Sequence, residues 1–414
     1  MEINTKSPLD DKATKLKYQF IINFGKAAHA YGSSSIRLEI YLGRLSDVLK
    51  IDGHFRVTPN QLIFAFNEED KIGQTTHLSS VISGSFDMHK LAKLDELASE
   101  LDTGEISIEE AFNRLKEIQK LKNPFGYSWT GLSYIFAGVG FAGILSGSWM
   151  DVSFSGLMSL IVYGIVLISK NSKERWASLI PISTAFVVAV LSVLLKHFFI
   201  SELNYIAVTL SAIIILIPGY SVSIGISELV NSHVISGLTN LINGLVYLLK
   251  QFVGAWVGFT LVLAFINVNP AVAQPIDPIW MWMLIPILII ALPIVFQTSA
   301  NDFGWAILSC TIAYLGFLFG SELGDNNIGV LIGSVLAGIF ANTWEWKTKK
   351  PGSIVLLPAI MILVSGSIGF RGLVSVAQGD ADGTAQFLEM FIIAATLAAG
   401  FIIADALIKP KYNL

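Results

Sequence analysis

Cysteine is almost missing: Cys310 is the only one in 414 residues. A single thiol excludes an intrachain disulfide and any multi-cysteine metal site. Charge is scarce too, with Asp, Glu, Lys and Arg at 14% of the chain. The net charge of −4, with no basic tract interleaved with aromatics, argues against a nucleic-acid partner. His29, His54, His77 and His89 are scattered, without the spacing of metal ligands. No nucleophile elbow, phosphate loop or HExxH motif occurs. No cofactor, no metal and no enzymatic activity are therefore expected. The first 17 residues lack an apolar core of the kind a cleavable signal needs, which places the amino-terminal region in the cytoplasm.

What is abundant is apolar sequence, at 53% hydrophobic residues. Charge is concentrated at one end: residues 1–127 carry 34 of the 58 Asp, Glu, Lys and Arg. The chain divides accordingly into a soluble domain (1–127) and two membrane halves (128–270 and 271–414). In the soluble part, helical spacing covers 18–31, 36–49 and 91–101, and short strands are read at 54–58, 62–66 and 74–82. Ser107 and Glu110 form a capping box for a last helix at 108–121. The expected order is α-α-β-β-β-α-α, a small α/β or α+β domain. Its most distinctive run, Gly32-Ser-Ser-Ser35 with Arg37 and Glu39, reads as a helix start with Ser35 as N-cap.

Ten apolar spans follow, near 129–148, 154–169, 176–196, 203–220, 239–266, 279–297, 303–320, 328–344, 353–372 and 385–408. Lys170, Lys173 and Arg175 fall in one loop, Lys347, Lys349 and Lys350 in another, and Lys409 and Lys411 at the tail. With ten crossings, all three clusters lie on the side of the amino terminus, so both termini are expected in the cytoplasm. The opposite loops are acidic, with Lys196 the only basic residue near one.

Two apolar stretches stop early, 203–217 at Pro218-Gly219 and 353–364 at Ser365-Gly366. Twelve to fifteen residues reach only about 18–22 Å into a hydrocarbon core roughly 30 Å thick. Interrupted helices at corresponding places in two halves point to a transporter's binding site. An offset of 147 lays Gly219 on Gly366, whereas an offset of 144 aligns Ser223–Val230 with Ser367–Val374. Under either, five helices repeated in one chain enter the membrane from opposite sides, so the expected fold is a multi-pass α-helical membrane protein with a 5+5 inverted repeat.

Several motifs resemble the threonine/serine exporter family: Gly32-Ser-Ser-Ser-Ile-Arg-Leu-Glu39, Lys90-Leu-Ala-Lys-Leu94, Gly104-Glu-Ile-Ser-Ile-Glu-Glu-Ala111, and Ile217-Pro-Gly219 followed by Glu228-Leu-Val and Gly237. The resemblance covers nearly the whole chain. Glu228 stands where that family usually has Asp, and Ser365 where a second Pro-Gly is common. The resemblance implies export of small neutral amino acids across the plasma membrane by proton antiport; some relatives move small carboxylates.

A broken helix exposes amides on one side of the gap, suited to a carboxylate, and carbonyls on the other, suited to an ammonium or hydroxyl. Pro218, Gly219, Tyr220, Ser221, Ser223, Ser365, Gly366 and Ser367 are the candidate substrate-binding residues, with Arg371 for carboxylate recognition or for pairing with Glu228. Glu228, with His233 nearby, is the candidate for proton coupling. Asp405 is expected to pair with Lys409, and Asp302 to cap a helix. The expected partners are a small substrate such as threonine or serine, protons and the bilayer, with a homo-oligomer left open. The alternatives are an exporter of small carboxylates such as succinate, and a membrane protein whose soluble domain is a hydrolase.

Overall fold

The computed structural model describes residues 12–67, 74–81, 86–169, 178–363 and 366–410. The soluble part follows the expected order: α1 (Lys12–Ala30), α2 (Ser35–Val48), β1 (Gly53–Thr58), β2 (Gln61–Asn67), β3 (Gln74–Ser80), α3 (Met88–Asp102) and α4 (Ile108–Lys120). The strands form an antiparallel meander in the order β1-β2-β3, with Val57 opposite Leu62 across the tight Pro59-Asn60 turn. β2 is central and packs Leu62, Phe64 and Phe66 against the helices. Tyr18 of α1 stacks on Phe66, and Phe24 on Tyr41 of α2, so aromatic faces seal the helix–sheet layer. β3 alternates exposed and half-buried residues, as a solvated edge strand does. Ser107 Oγ accepts from the Glu110 amide at 3.2 Å, so the expected cap opens α4.

The apolar part comprises α5 (Tyr127–Ile144), α6 (Trp149–Ser169), α7 (Ile180–Phe198), α8 (Tyr205–Ile213, extended by a 3-10 turn to Leu216), α9 (Gly219–Val230), α10 (Val234–Leu263), α11 (Met281–Val295), α12 (Ala300–Leu323), α13 (Asn326–Thr348), α14 (Ser353–Leu363), α15 (Gly366–Gln378) and α16 (Gly383–Leu407). Among the described residues, eight helical stretches are long and apolar enough to cross a membrane, or nine when the bent α8–α9 pair counts as one span. The first expected span, α5, falls outside that count because Gly, Ser, Thr and Tyr dilute its 18 residues. The fifth starts earlier than expected, at Val234, because the chain turns sharply at Ser232 with φ 66°. The loop with Lys170, Lys173 and Arg175 lies outside the described residues.

Helix pairs recur between the halves. α7 packs on α10 and α13 on α16; α9 packs on α10 and α15 on α16; α6 packs on α8 and α12 on α14. Glycines make the second set possible. A Cβ on Gly225 would lie 2.7 Å from Leu241 N, and one on Gly372 would lie 2.5 Å from Phe387 N. Gly225 and Gly372 do the same work in the two halves, 147 positions apart.

Candidate functional site

The first break is built by Pro218. A residue before proline is steered to extended backbone, and Ile217 has φ −68° and ψ 126°. The 3-10 turn stops at Leu216, α9 restarts at Gly219, and the two axes differ by 55°. In the second half the corresponding expected break, at residues 364–365 between α14 and α15, lies outside the described residues, and 353–378 counts as one apolar stretch. Ser365, a candidate above, lies outside the described residues. The Pro218 break meets the second half there: a Cβ on Gly366 would lie 3.1 Å from Gly219 Cα, 3.2 Å from Gly219 N and 2.5 Å from Ile217 Cγ2. The restart of α9 thus brings a helix N-terminus, with about half a positive charge, to this contact.

From the crossing, Tyr220, Ser223, Ile224 and Ser227 form one face of α9 at helical spacing and line a cleft against Ile360 of α14 and Phe401 of α16. The cleft holds about 10 Å³, room for roughly one water, so this conformation is closed. Ser221 turns the other way, toward Gly244 of α10. Ser367 is half-buried one residue past the crossing.

Glu228 ends that face, 1% exposed. Its Oε2 lies 2.7 Å from Ser236 Oγ and accepts from Asn240 Nδ2 at 2.8 Å. Ser236 Oγ is in turn 2.7 Å from Ser35 Oγ of the soluble domain. One proton per hydroxyl makes Ser35 the donor to Ser236, and Ser236 the donor to the carboxylate. Glu228 Oε1 has no hydrogen-bond partner among the described residues. His233 precedes α10, and its amide donates to the Glu228 carbonyl at 2.9 Å.

Arg371 is not part of this cluster. It is exposed on α15 with Glu389 of α16 as its charged neighbour, and among the described residues no ion pair joins it to Glu228.

The soluble domain docks on the same end. Ser35, expected as an N-cap, is the first residue of α2, and its hydroxyl is hydrogen-bonded to Ser236; Ser34 occupies the cap position without a side-chain cap hydrogen bond. Arg37 Nη1 lies 3.9 Å from Glu345 Oε2 at the end of α13. Phe86 packs edge-on against both Tyr220 and Phe296, with ring centres 5.2 and 5.4 Å away. The amides of Met88 and His89 donate to the carbonyls of Phe296 and Gln297 at 3.0 Å, stitching the start of α3 to the end of α11. Gly32, at φ 102°, leaves the room that Phe86 fills, since a Cβ there would overlap its ring. Composition marks none of Ser35, Arg37, Phe86, Ser236 or Asn240 as belonging to one site. The Gly32–Glu39 run was the only local signal for two of them.

Two other carboxylates have partners beyond those expected. Asp405 accepts from Asn342 Nδ2 at 2.8 Å. Asp302 does accept from Ser299 at 2.6 Å near the start of α12, and it also pairs with Lys350 at 2.7 Å. Lys196 is buried rather than lining an outer loop, donating to the carbonyls of Leu203 and Ala271 at 2.9 and 2.8 Å.

Comparison with known proteins covers both halves. A sequence profile of the threonine/serine exporter family matches residues 19–262, and a second profile described in the same terms matches residues 281–407. An uncharacterised protein of Schizosaccharomyces pombe is 23% identical over 372 residues, 87% of this chain and 48% of that protein. Pheromone-regulated membrane protein 10 of Candida albicans is 24% identical over 368 residues, 86% of this chain and 33% of that protein. Its counterpart in Yarrowia lipolytica is 23% identical over 374 residues, 86% of this chain and 30% of that protein. The chain thus spans between 30% and 48% of the length of these relatives. No solved structure matches. The multi-pass helical architecture and a profile match running through soluble domain and spans alike lead to one assignment: this chain belongs to the threonine/serine exporter family.

Proposed function

We propose that the chain is a secondary transporter that exports small neutral amino acids of the threonine and serine type across the plasma membrane, driven by proton influx. The observation that carries this reading is the close contact of Gly219, at the Pro218 break, with Gly366 in the second half. The N-terminus of α9 favours the carboxylate of an amino acid, and small residues leave the backbone open to it. Ten spans in two inverted sets of five are the architecture this function uses. The recurring helix pairs and the matched Gly225 and Gly372 support that reading, with α5 counted as a span. Lys347, Lys349 and Lys350 support a cytoplasmic position for the Glu228 end and the amino-terminal domain.

Glu228 lies nine residues past Gly219, about 13–14 Å along α9. A small amino acid held at the crossing cannot reach it. Glu228 therefore serves as the proton site at the cytoplasmic end, where Ser236 and Asn240 hold its carboxylate.

Counterflow in proteoliposomes with labelled threonine, serine and succinate tests the reading. Threonine and serine should exchange and succinate should not. Exchange of succinate alone would reassign the substrate to carboxylates, and exchange of none by folded protein would sink the transporter reading. Glu228→Gln should abolish the pH dependence of threonine exchange; an unchanged pH profile would remove Glu228 from coupling.

A further inference from the structure

The amino-terminal domain grips two groups of apolar helices at once. The cleft beside Tyr220 separates α9 from Ile360 of α14 and Phe401 of α16, and the domain is fastened on both sides of it. On one side Ser35 Oγ bonds Ser236 Oγ at 2.7 Å, and Asn60 Oδ1 accepts from Asn243 Nδ2 at 3.3 Å. Both partners are on α10, which β1 also touches and which carries α9 on its glycines. On the other side Arg37 Nη1 lies 3.9 Å from Glu345 Oε2 of α13, and α3 packs on α14. There the amides of Met88 and His89 also donate to the carbonyls of Phe296 and Gln297, just past α11. Phe86 bridges the two sides by itself, with its ring against Tyr220 of α9 and against Phe296. A cleft of about 10 Å³ admits no amino acid, and its walls cannot part at this end while one packed domain holds both.

We infer that the amino-terminal domain is a clasp, which keeps the cleft shut by tying α9 and α10 to α11, α13 and α14, and which releases α9 and α10 when substrate enters from this face. The inference rests on the exporter reading above and adds the part that moves. The side that releases follows from which contacts cost more to break. Leaving Glu345 strips a neighbouring cation from a carboxylate that is 0% exposed. Leaving Phe296 and Gln297 breaks two backbone hydrogen bonds at buried residues. Leaving α10 breaks one hydroxyl pair and one exposed amide pair, groups that water can satisfy once they part. The connectivity agrees. The chain runs from α4 at Lys120 to α5 at Tyr127, and α5 packs on α11. The domain therefore stays with α11, α13 and α14, and on opening Phe86 leaves Tyr220 while it keeps Phe296.

The test is reversible bridging of the full-length protein. Cys310 is the only native thiol and is fully buried, so engineered cysteine pairs can be joined selectively by a short bis-methanethiosulfonate that a reductant removes. Asn60→Cys with Asn243→Cys puts the bridge across the releasing contact, and His89→Cys with Gln297→Cys puts it across the retained one. In proteoliposomes the first bridge should slow threonine exchange at least about tenfold relative to the same protein after reduction, and the second should change it by less than about twofold. Hydrogen exchange supplies a readout that needs no transport: amides of α9 should be slowed by the first bridge and not by the second. Exchange that is indifferent to the first bridge, or arrested equally by both, would overturn the clasp and leave the exporter reading standing. A wild-type protein that exchanges neither threonine nor serine would overturn the exporter reading, and hydrogen exchange in α9 would still decide the clasp.

Discussion

Gly366 sits against Gly219 so closely that a side chain on the former has no room: its Cβ would be 3.1 Å from Gly219 Cα and 3.2 Å from Gly219 N. Residues 147 apart in sequence, Gly219 at the Pro218 break and Gly366 in the second half, become the crossing of the two halves.

Gly366→Ala tests that crossing. The obstacles are the β-branched Ile217 side chain at 2.5 Å and the Gly219 backbone at 3.1–3.2 Å, so the helices must separate by a few tenths of an ångström, at a cost of about 1–3 kcal/mol. Threonine exchange in proteoliposomes should fall at least about tenfold, the change expected for 1.4 kcal/mol. Gly304→Ala, where a Cβ meets nothing within 4 Å, should leave exchange unchanged. Equal effects of the two substitutions would remove the special status of the crossing.

Phe86→Ala probes the dock. It removes the ring packed on Tyr220 and Phe296 at 5.2 and 5.4 Å, while the hydrogen bonds from Met88 and His89 persist. The loss is about 1–3 kcal/mol, set by the buried ring area and its edge-to-face geometry. Hydrogen exchange should speed up in α9 and at the start of α3 and stay unchanged in β1 and β2. Uniform acceleration through the soluble domain would mean that Phe86 belongs to its fold rather than to the dock.

His29 should make the soluble domain acid-sensitive. Burial pushes its pKa below 6.5, and its Nε2 faces the Thr58 carbonyl at 3.2 Å while Nδ1 is buried without a partner. The folded form thus binds the proton less readily than the unfolded chain. Stability is full above the unfolded value of 6.5 and declines as the pH falls below it, by at most about 1.4 kcal/mol per pH unit. Hydrogen exchange of α1 and β1 should accelerate on acidification below 6.5, and His29→Gln should flatten that dependence. An identical pH profile in the variant would place the sensitivity elsewhere, with His89 and His77, both lowered by burial, as the other sources.

Much of the architecture was legible because its signals are local. The α-α-β-β-β-α-α order, the Ser107 cap and the positions of the apolar helices follow from periodicity and capping within a few residues of each site. The Pro218 break was legible for the same reason, since proline dictates the backbone before it. The reading of Ser35 failed on this point. A serine at a helix start caps in most settings, and only the presence of Ser236, 201 residues away, turns its hydroxyl outward. The choice between the offsets of 147 and 144 was likewise undecidable from a short alignment, and the paired contacts of Gly225 and Gly372 favour the first.

Composition and periodicity by themselves determined the division into a charged part and an apolar one and the helix interruption at Pro218. These depend on burial and transfer energies that add up residue by residue along the chain, and on the backbone that proline imposes. That Gly219 meets Gly366, that Glu228 is buried against Ser236 and Asn240, and that the amino-terminal part delivers Ser35, Arg37 and Phe86 to the apolar helices were decided only by the tertiary structure. Such contacts depend on shape and charge matching between segments far apart in sequence, and no local pattern encodes them.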